Sequence, residues 1–210
     1  MTAFGLVLAE PDVALTDWAL SVEAFALAGF ARSYGRAWTA FFASIGVAAL
    51  LGGVSHGVVP QGNGVAGTVL WRATVLALGA TSWAAVVAAS RALAPAAGAY
   101  VRAAAAALAL GYAGIVLAVT DRFVVAVIAY LPATVFLLGV FLVAARRAGG
   151  GSPLIAACGL VVLLVGSWAQ WRAIDAPLLG LSHNALFHVI QMLALPLIYQ
   201  GVGIGRAREA

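Results

Sequence analysis

The chain has 210 residues, of which 64% are hydrophobic and 9% charged, and its mean hydropathy is +1.07. Soluble domains are about half apolar and a quarter charged, so a soluble fold is excluded, and spans of about 20 residues each leave no room for a second domain outside the membrane. All 11 basic residues are arginine, which excludes Schiff-base chemistry, retinal binding included; the net charge of +4 comes from arginines scattered between apolar runs, not from a nucleic-acid footprint.

Residues 1–12 lack the basic start and small-residue cleavage pattern of a signal peptide, so this segment is expected to stay as a short cap on the outer surface. Seven apolar runs follow, at about 13–31, 37–56, 67–90, 98–119, 123–145, 153–171 and 183–203. They predict an all-α, polytopic membrane protein: a seven-transmembrane-helix bundle forming one domain over residues 1–210. Only Thr120, Asp121 and Arg122 separate the fourth and fifth runs, which makes those helices antiparallel neighbours. Pro132 and Pro196 should kink the fifth and seventh spans, and Gly46, Gly52 and Gly53 allow close approach to the second. Ser44, Thr81, Ser82 and Ser167 are expected to bond a carbonyl one turn back. Cys158 lies inside an apolar run and, as the single cysteine, forms no intrachain disulfide.

The arginines set an orientation. Arg32, Arg36, Arg91, Arg102, Arg146, Arg147, Arg206 and Arg208 fall at one end of the bundle, and Arg72, Arg122 and Arg172 at the other. By the positive-inside rule the C-terminus is cytoplasmic and the N-terminus outside, in a multi-pass protein of a bacterial inner (plasma) membrane. Trp18, Trp71, Trp168 and Trp171 then read as outer belt anchors, with Tyr34, Trp38 and Tyr100 as inner ones.

Ionisable groups inside spans are costly and mark functional candidates. Asp17, Glu23, His56, Arg72, His183 and His188 qualify, and all but Glu23 sit within one shallow layer at the outer ends of four spans. Three imidazoles with a carboxylate are the ligand types of a catalytic zinc site, so His56, His183 and His188 are candidate Zn²⁺ ligands. His183 and His188 diverge by about 140° on a regular helix. They converge only if His183 precedes the helix, with Ser182 or Asn184 as its N-cap. Asn184 and Gln191 share a face with His188 and are candidates to orient its ring. Asp17 is also placed to pair with Arg72, and Glu23 has a proton-binding, structural or substrate-contacting role open to it.

With seven spans, a histidine closing the second (Ser55–His56) and two more in S-H-N-A-L-F-H at 182–188, the chain resembles the CREST superfamily of seven-helix membrane hydrolases, which includes alkaline ceramidases and progestin and adipoQ receptors. The resemblance implies zinc held by His56, His183 and His188, and hydrolysis of an amide or ester bond in a lipid at the outer face. Asp17 would then serve as general base or ligand partner, with Arg72 or Ser55 stabilising the oxyanion. The chain departs from the family pattern at three points: H-x-x-x-x-H replaces H-x-x-x-H, Gly52 stands where a serine is expected, and the third span lacks its acid. The bilayer and a lipid substrate are the expected partners, and nucleic acid is not. Two other readings are a haem protein with His56 and His188 as axial ligands, and a non-catalytic receptor or carrier whose histidines tune a pH-sensitive contact.

Overall fold

The computed structural model describes residues 2–3, 6–59 and 64–203, and helices dominate it. They are α1 (Pro11–Ala31), α2 (Arg36–Gly57), α3 (Gly64–Ser90), α4 (Pro95–Ala118), α5 (Phe123–Ala148), α6 (Ser152–Trp171) and α7 (His183–Tyr199). Every boundary read from the apolar runs lies within about three residues of these, except the last. Proline opens α1, α4 and α6, where its missing N–H costs nothing. Gly149, at φ 70°, closes α5 behind Arg146 and Arg147, a left-handed stop behind two cations that suit the helix C-terminus. Near the N-terminus Thr2–Ala3 pairs with Leu6–Val7 as a short antiparallel ribbon. Ala9 and Glu10 then donate their N–H groups to the carbonyls of Gly57 and His56, which ties the entry to α1 onto the end of α2.

Six of the helices are long and apolar enough to cross a membrane. The seventh is shorter than the run at 183–203 suggests. Its 17 residues, with turns from Gly201 to Gly203 beyond them, span about 26 Å, against a hydrocarbon core of roughly 30 Å. Pro132 and Pro196 lie inside α5 and α7 as expected. Arg206 and Arg208 lie outside the described residues.

The helices close into a ring in the order α1, α2, α3, α5, α6, α7, with α4 outside it against α3. Helices in lipid gain little from apolar burial against one another, so close approach and packing decide which faces meet. α1 and α2 run antiparallel with glycines between them: a Cβ on Gly46 would stand 3.0 Å from the Phe25 ring, and one on Gly53 2.5 Å from the Trp18 indole. α4 meets α5 only marginally despite the short connection. The reason lies on α3, where Gly79 makes room for the Tyr112 ring and the Val75 carbonyl accepts its hydroxyl at 2.7 Å.

The apolar core fills the arginine-rich end and middle of the ring. Trp38, Phe42, Leu137, Phe141, Leu160, Leu195 and Ile198 are all fully buried there. Trp38 is therefore a core residue and not an interfacial anchor: it faces inward from the first turn of α2 and stacks on Phe141 at 6.1 Å with 8° between ring planes. Trp168, Trp171 and Tyr100 are exposed, as belt residues should be. Ser44, Thr81, Ser82 and Ser167 bond carbonyls three or four residues back, on Phe41, Ala77, Leu78 and Leu163.

Candidate functional site

The end of the ring opposite the core holds all three histidines, and each meets a different carboxylate. His56 Nδ1 lies 3.0 Å from Glu10 Oε2, His183 Nδ1 3.1 Å from Asp175 Oδ1, and His188 Nε2 3.4 Å from Asp17 Oδ1. Burial separates the three. Glu10 and Asp175 are more than half exposed, at 54% and 57%, whereas Asp17 and His188 keep 6% and 13% of their side-chain surface. Only the Asp17–His188 pair is shut away between helices, α1 and α7.

Its proton arrangement follows from the neighbours. Thr16 donates its only hydroxyl hydrogen along α1, to the carbonyls of Asp12 and Val13 at 2.8 and 3.0 Å. It also lies 3.2 Å from His188 Nδ1, and while its hydrogen is held by a carbonyl it accepts from the Nδ1–H tautomer. Nε2 then faces Asp17. Two bare lone pairs facing each other would repel, so the contact is attractive only with a cation between them, either a proton or a metal ion.

Room for the carboxylate comes from α2. A Cβ on Gly52 would fall 2.9 Å from Asp17 Oδ2, so Gly52 vacates the space that Asp17 fills. Carboxylate from α1 and missing side chain on α2 form one feature.

The candidate ligands do not all gather there. Ser182 is the N-cap of α7, as one of the two capping alternatives expects, with its hydroxyl accepting from Ala185 N–H at 3.5 Å. The helix nevertheless starts at His183 itself, so that residue does not precede it. Asp175 Oδ1 accepts the His183 backbone N–H at 2.7 Å and also holds its ring, turning it toward the α6–α7 connection and not toward His188. Among the described residues no three His, Cys, Asp or Glu side chains form a group able to hold a metal ion. Asn184 accepts from Gln170 on α6 at 3.0 Å, and Gln191 is half-buried two turns further along α7; Thr16 and Asp17 are what flank the imidazole. Arg72 does not reach Asp17 either. Its Nε donates to Asp121 Oδ2 at 3.0 Å, while Trp71 donates to the Asp121 carbonyl at 2.8 Å. Ser55 is buried on α2 beside His56.

Residues 13–207 match a family described as of unknown function (DUF6962). The chain belongs to that family. No curated protein and no solved structure matches it.

Four acids escaped the sequence reading because it counted only groups inside spans: Glu10, Asp12, Asp121 and Asp175. A signal for them was present. Of the seven acidic residues in the sequence, these four and Asp17 lie at the histidine end, where only Arg72, Arg122 and Arg172 are basic. Asp12 also accepts the Ser182 backbone N–H at 2.9 Å, pinning the start of α7 to α1. Ser182→Ala is expected to lower stability by about 1 kcal/mol, read as an earlier thermal melt in detergent. The Ser182 backbone bond to Asp12 survives in that variant.

Proposed function

We propose that this chain is a non-catalytic, proton-responsive membrane protein of the receptor or carrier class, with seven helices across a bacterial inner membrane and the histidine end outside. The observation that carries the reading is the pairing of every histidine with its own carboxylate, the buried Asp17–His188 pair above all. A proton between Nε2 and Oδ1 joins α1 to α7 at the mouth of the ring. Its loss leaves a carboxylate against a lone pair in a buried seam, and the seam loosens. His56 and His183 make their own carboxylate contacts, with Glu10 and Asp175, at the same end of the bundle. One of these straps the N-terminal segment to α2, and the other straps the α6–α7 connection to α7. Acidification outside thus tightens the α1–α7 seam at the buried Asp17–His188 pair.

A second reading is the zinc hydrolase that the CREST resemblance implies, and two observations favour it. Ligands about 2.1 Å from a tetrahedral zinc stand roughly 3.4 Å apart, which is the separation of Asp17 Oδ1 and His188 Nε2. All three rings also have Nδ1 engaged, by Glu10, Asp175 and Thr16, the arrangement in which histidine offers Nε2 to a metal. Zinc there would polarise a lipid carbonyl and supply hydroxide. Against it, a catalytic site needs three protein ligands, and here two stand at ligand spacing.

Elemental analysis of protein purified in detergent after growth with added zinc separates the readings. The proton reading expects no stoichiometric metal and an unchanged result in His188→Ala. One zinc per chain, lost in that variant, would replace it with the hydrolase, and a Soret band in the same sample would replace it with haem ligation.

A further inference from the structure

Glu23 is the one acid in the middle of a span, 12 residues into α1, or about 18 Å from the end of that helix that carries Asp17. One of its carboxyl oxygens, Oε2, is shielded from solvent and has no hydrogen-bond partner among the described residues. Its position against α7 follows from its neighbours on the same stripe. Thr16, seven residues before, meets His188 at 3.2 Å, and Phe30, seven residues after, meets the Tyr199 ring at 6.5 Å. Seven residues are close to two helical turns, so Glu23 borders α7 between those two contacts. Ala19 and Ala26, one turn to either side of it on α1, are exposed and face lipid in a membrane.

Two features of α7 suit a protonated carboxyl there. Pro196 has no N–H to give to the Met192 carbonyl, which leaves a backbone acceptor in the stretch of α7 that Glu23 borders. Gln191 lies between His188 and that stretch, with a side chain that can both donate and accept. Among the described residues no charged group pairs with Glu23 to keep it ionised. α7 carries nothing titratable between His188 and Tyr199, and α2 nothing between Arg36 and His56. The flanking groups are Asp17 and His188 toward one end, and Arg32, Tyr34 and Tyr199 toward the other. A bare carboxylate facing hydrocarbon is costly enough that such groups take up a proton instead.

We infer that Glu23 is a second proton-binding site, reachable sideways from the lipid and placed in series with the Asp17–His188 pair along the α1–α7 seam. This rests on the proton reading of that pair but is tested apart from it. Dicyclohexylcarbodiimide is an apolar reagent that takes up a carboxylic acid across one of its C=N bonds: the acid's proton goes to nitrogen, its oxygen to carbon, and the adduct rearranges to a stable N-acylurea. The protein in phosphatidylcholine vesicles is treated over a range of pH, and the modified residue is assigned by peptide mass spectrometry. The expected result is an adduct on Glu23 whose yield falls about tenfold for each pH unit once the acid ionises. Glu23→Gln should abolish that adduct while the variant melts as the parent does. His188→Ala should keep the adduct but shift its pH profile. A folded protein with no adduct at Glu23, or a yield indifferent to pH, overturns the site; an adduct whose profile ignores His188→Ala overturns the series arrangement. In both cases the Asp17–His188 pair still stands or falls by its own metal analysis.

Discussion

His188→Ala is expected to cost about 3–5 kcal/mol of stability, the penalty for removing one member of a buried pair and stranding the other. The stranded group is Asp17, with 6% of its side chain exposed and its second oxygen against Gly52. Water does not easily reach it there. Asp17→Ala should cost a similar amount, because Nε2 of His188 then faces an apolar gap. The double variant should cost clearly less than the two single losses together, with a coupling of about 2 kcal/mol, since neither polar group remains to be stranded. Denaturation of all four proteins in one detergent measures the cycle. Additive losses would mean that the two side chains share a seam without sharing a proton, and the functional reading would lose its centre.

The same cycle bears on the metal question. If zinc joined Nε2 to Oδ1, the coupling would grow with added zinc and vanish on chelation, because metal binding adds its free energy to the folded state alone. A shared proton gives a coupling that chelators leave untouched. Glu10→Gln and Asp175→Asn form a useful contrast, because those carboxylates are more than half exposed and exposed pairs contribute about 0–1 kcal/mol. Energy and chemistry are thus both concentrated at the one pair that is buried.

Much of the fold was legible because a membrane chain writes it in a coarse alphabet. Apolar runs, prolines at helix starts and a glycine stop gave six of the seven helices to within a few residues. Orientation of individual side chains was harder. Trp38 reads as a belt residue by its place near a span end, yet it faces the ring interior, and depth along a helix says nothing of azimuth. The histidines show the same gap. Counting residues from span ends put His56, His183 and His188 in one layer, and the structure has them at one end of the bundle on separate partners. It did not reveal that Asp175, outside any span, would capture His183, or that Glu10 would capture His56. Those acids lie in connections, whose path a periodicity argument cannot trace. Asp17 was readable as a candidate and Gly52 as a departure, but their relation was not, because it needs α1 and α2 brought to contact.

Gly159→Leu is expected to have the other large effect, by lifting α7 off α6. A Cβ at Gly159 would stand 2.8 Å from Leu197 Cβ, 2.9 Å from the Ala194 carbonyl oxygen and 3.0 Å from the Ile198 nitrogen. Two of these are backbone atoms of α7, which no rotamer change moves aside. Alanine alone should cost about 1–3 kcal/mol by overpacking, and leucine more, seen as a melt earlier by at least about 6 °C. Glycine content as such is not the cause: Gly111, Gly114 and Gly139 have nothing within 4 Å of an added Cβ. Alanine at those three should be neutral or stabilising by up to about 1 kcal/mol through helix propensity. The consequence reaches the site, because α6 also seats α7 at Gly166, where a Cβ would meet Ile190 at 2.7 Å, two residues from His188. Shifting α7 by the width of a methyl group there pulls the imidazole away from both Thr16 and Asp17. Gly166→Leu should therefore destabilise and also weaken the Asp17–His188 coupling, whereas Gly139→Ala should leave that coupling intact. If Gly166→Leu keeps the full coupling, the pair is held by α1 alone and the α6–α7 seat has no part in positioning it.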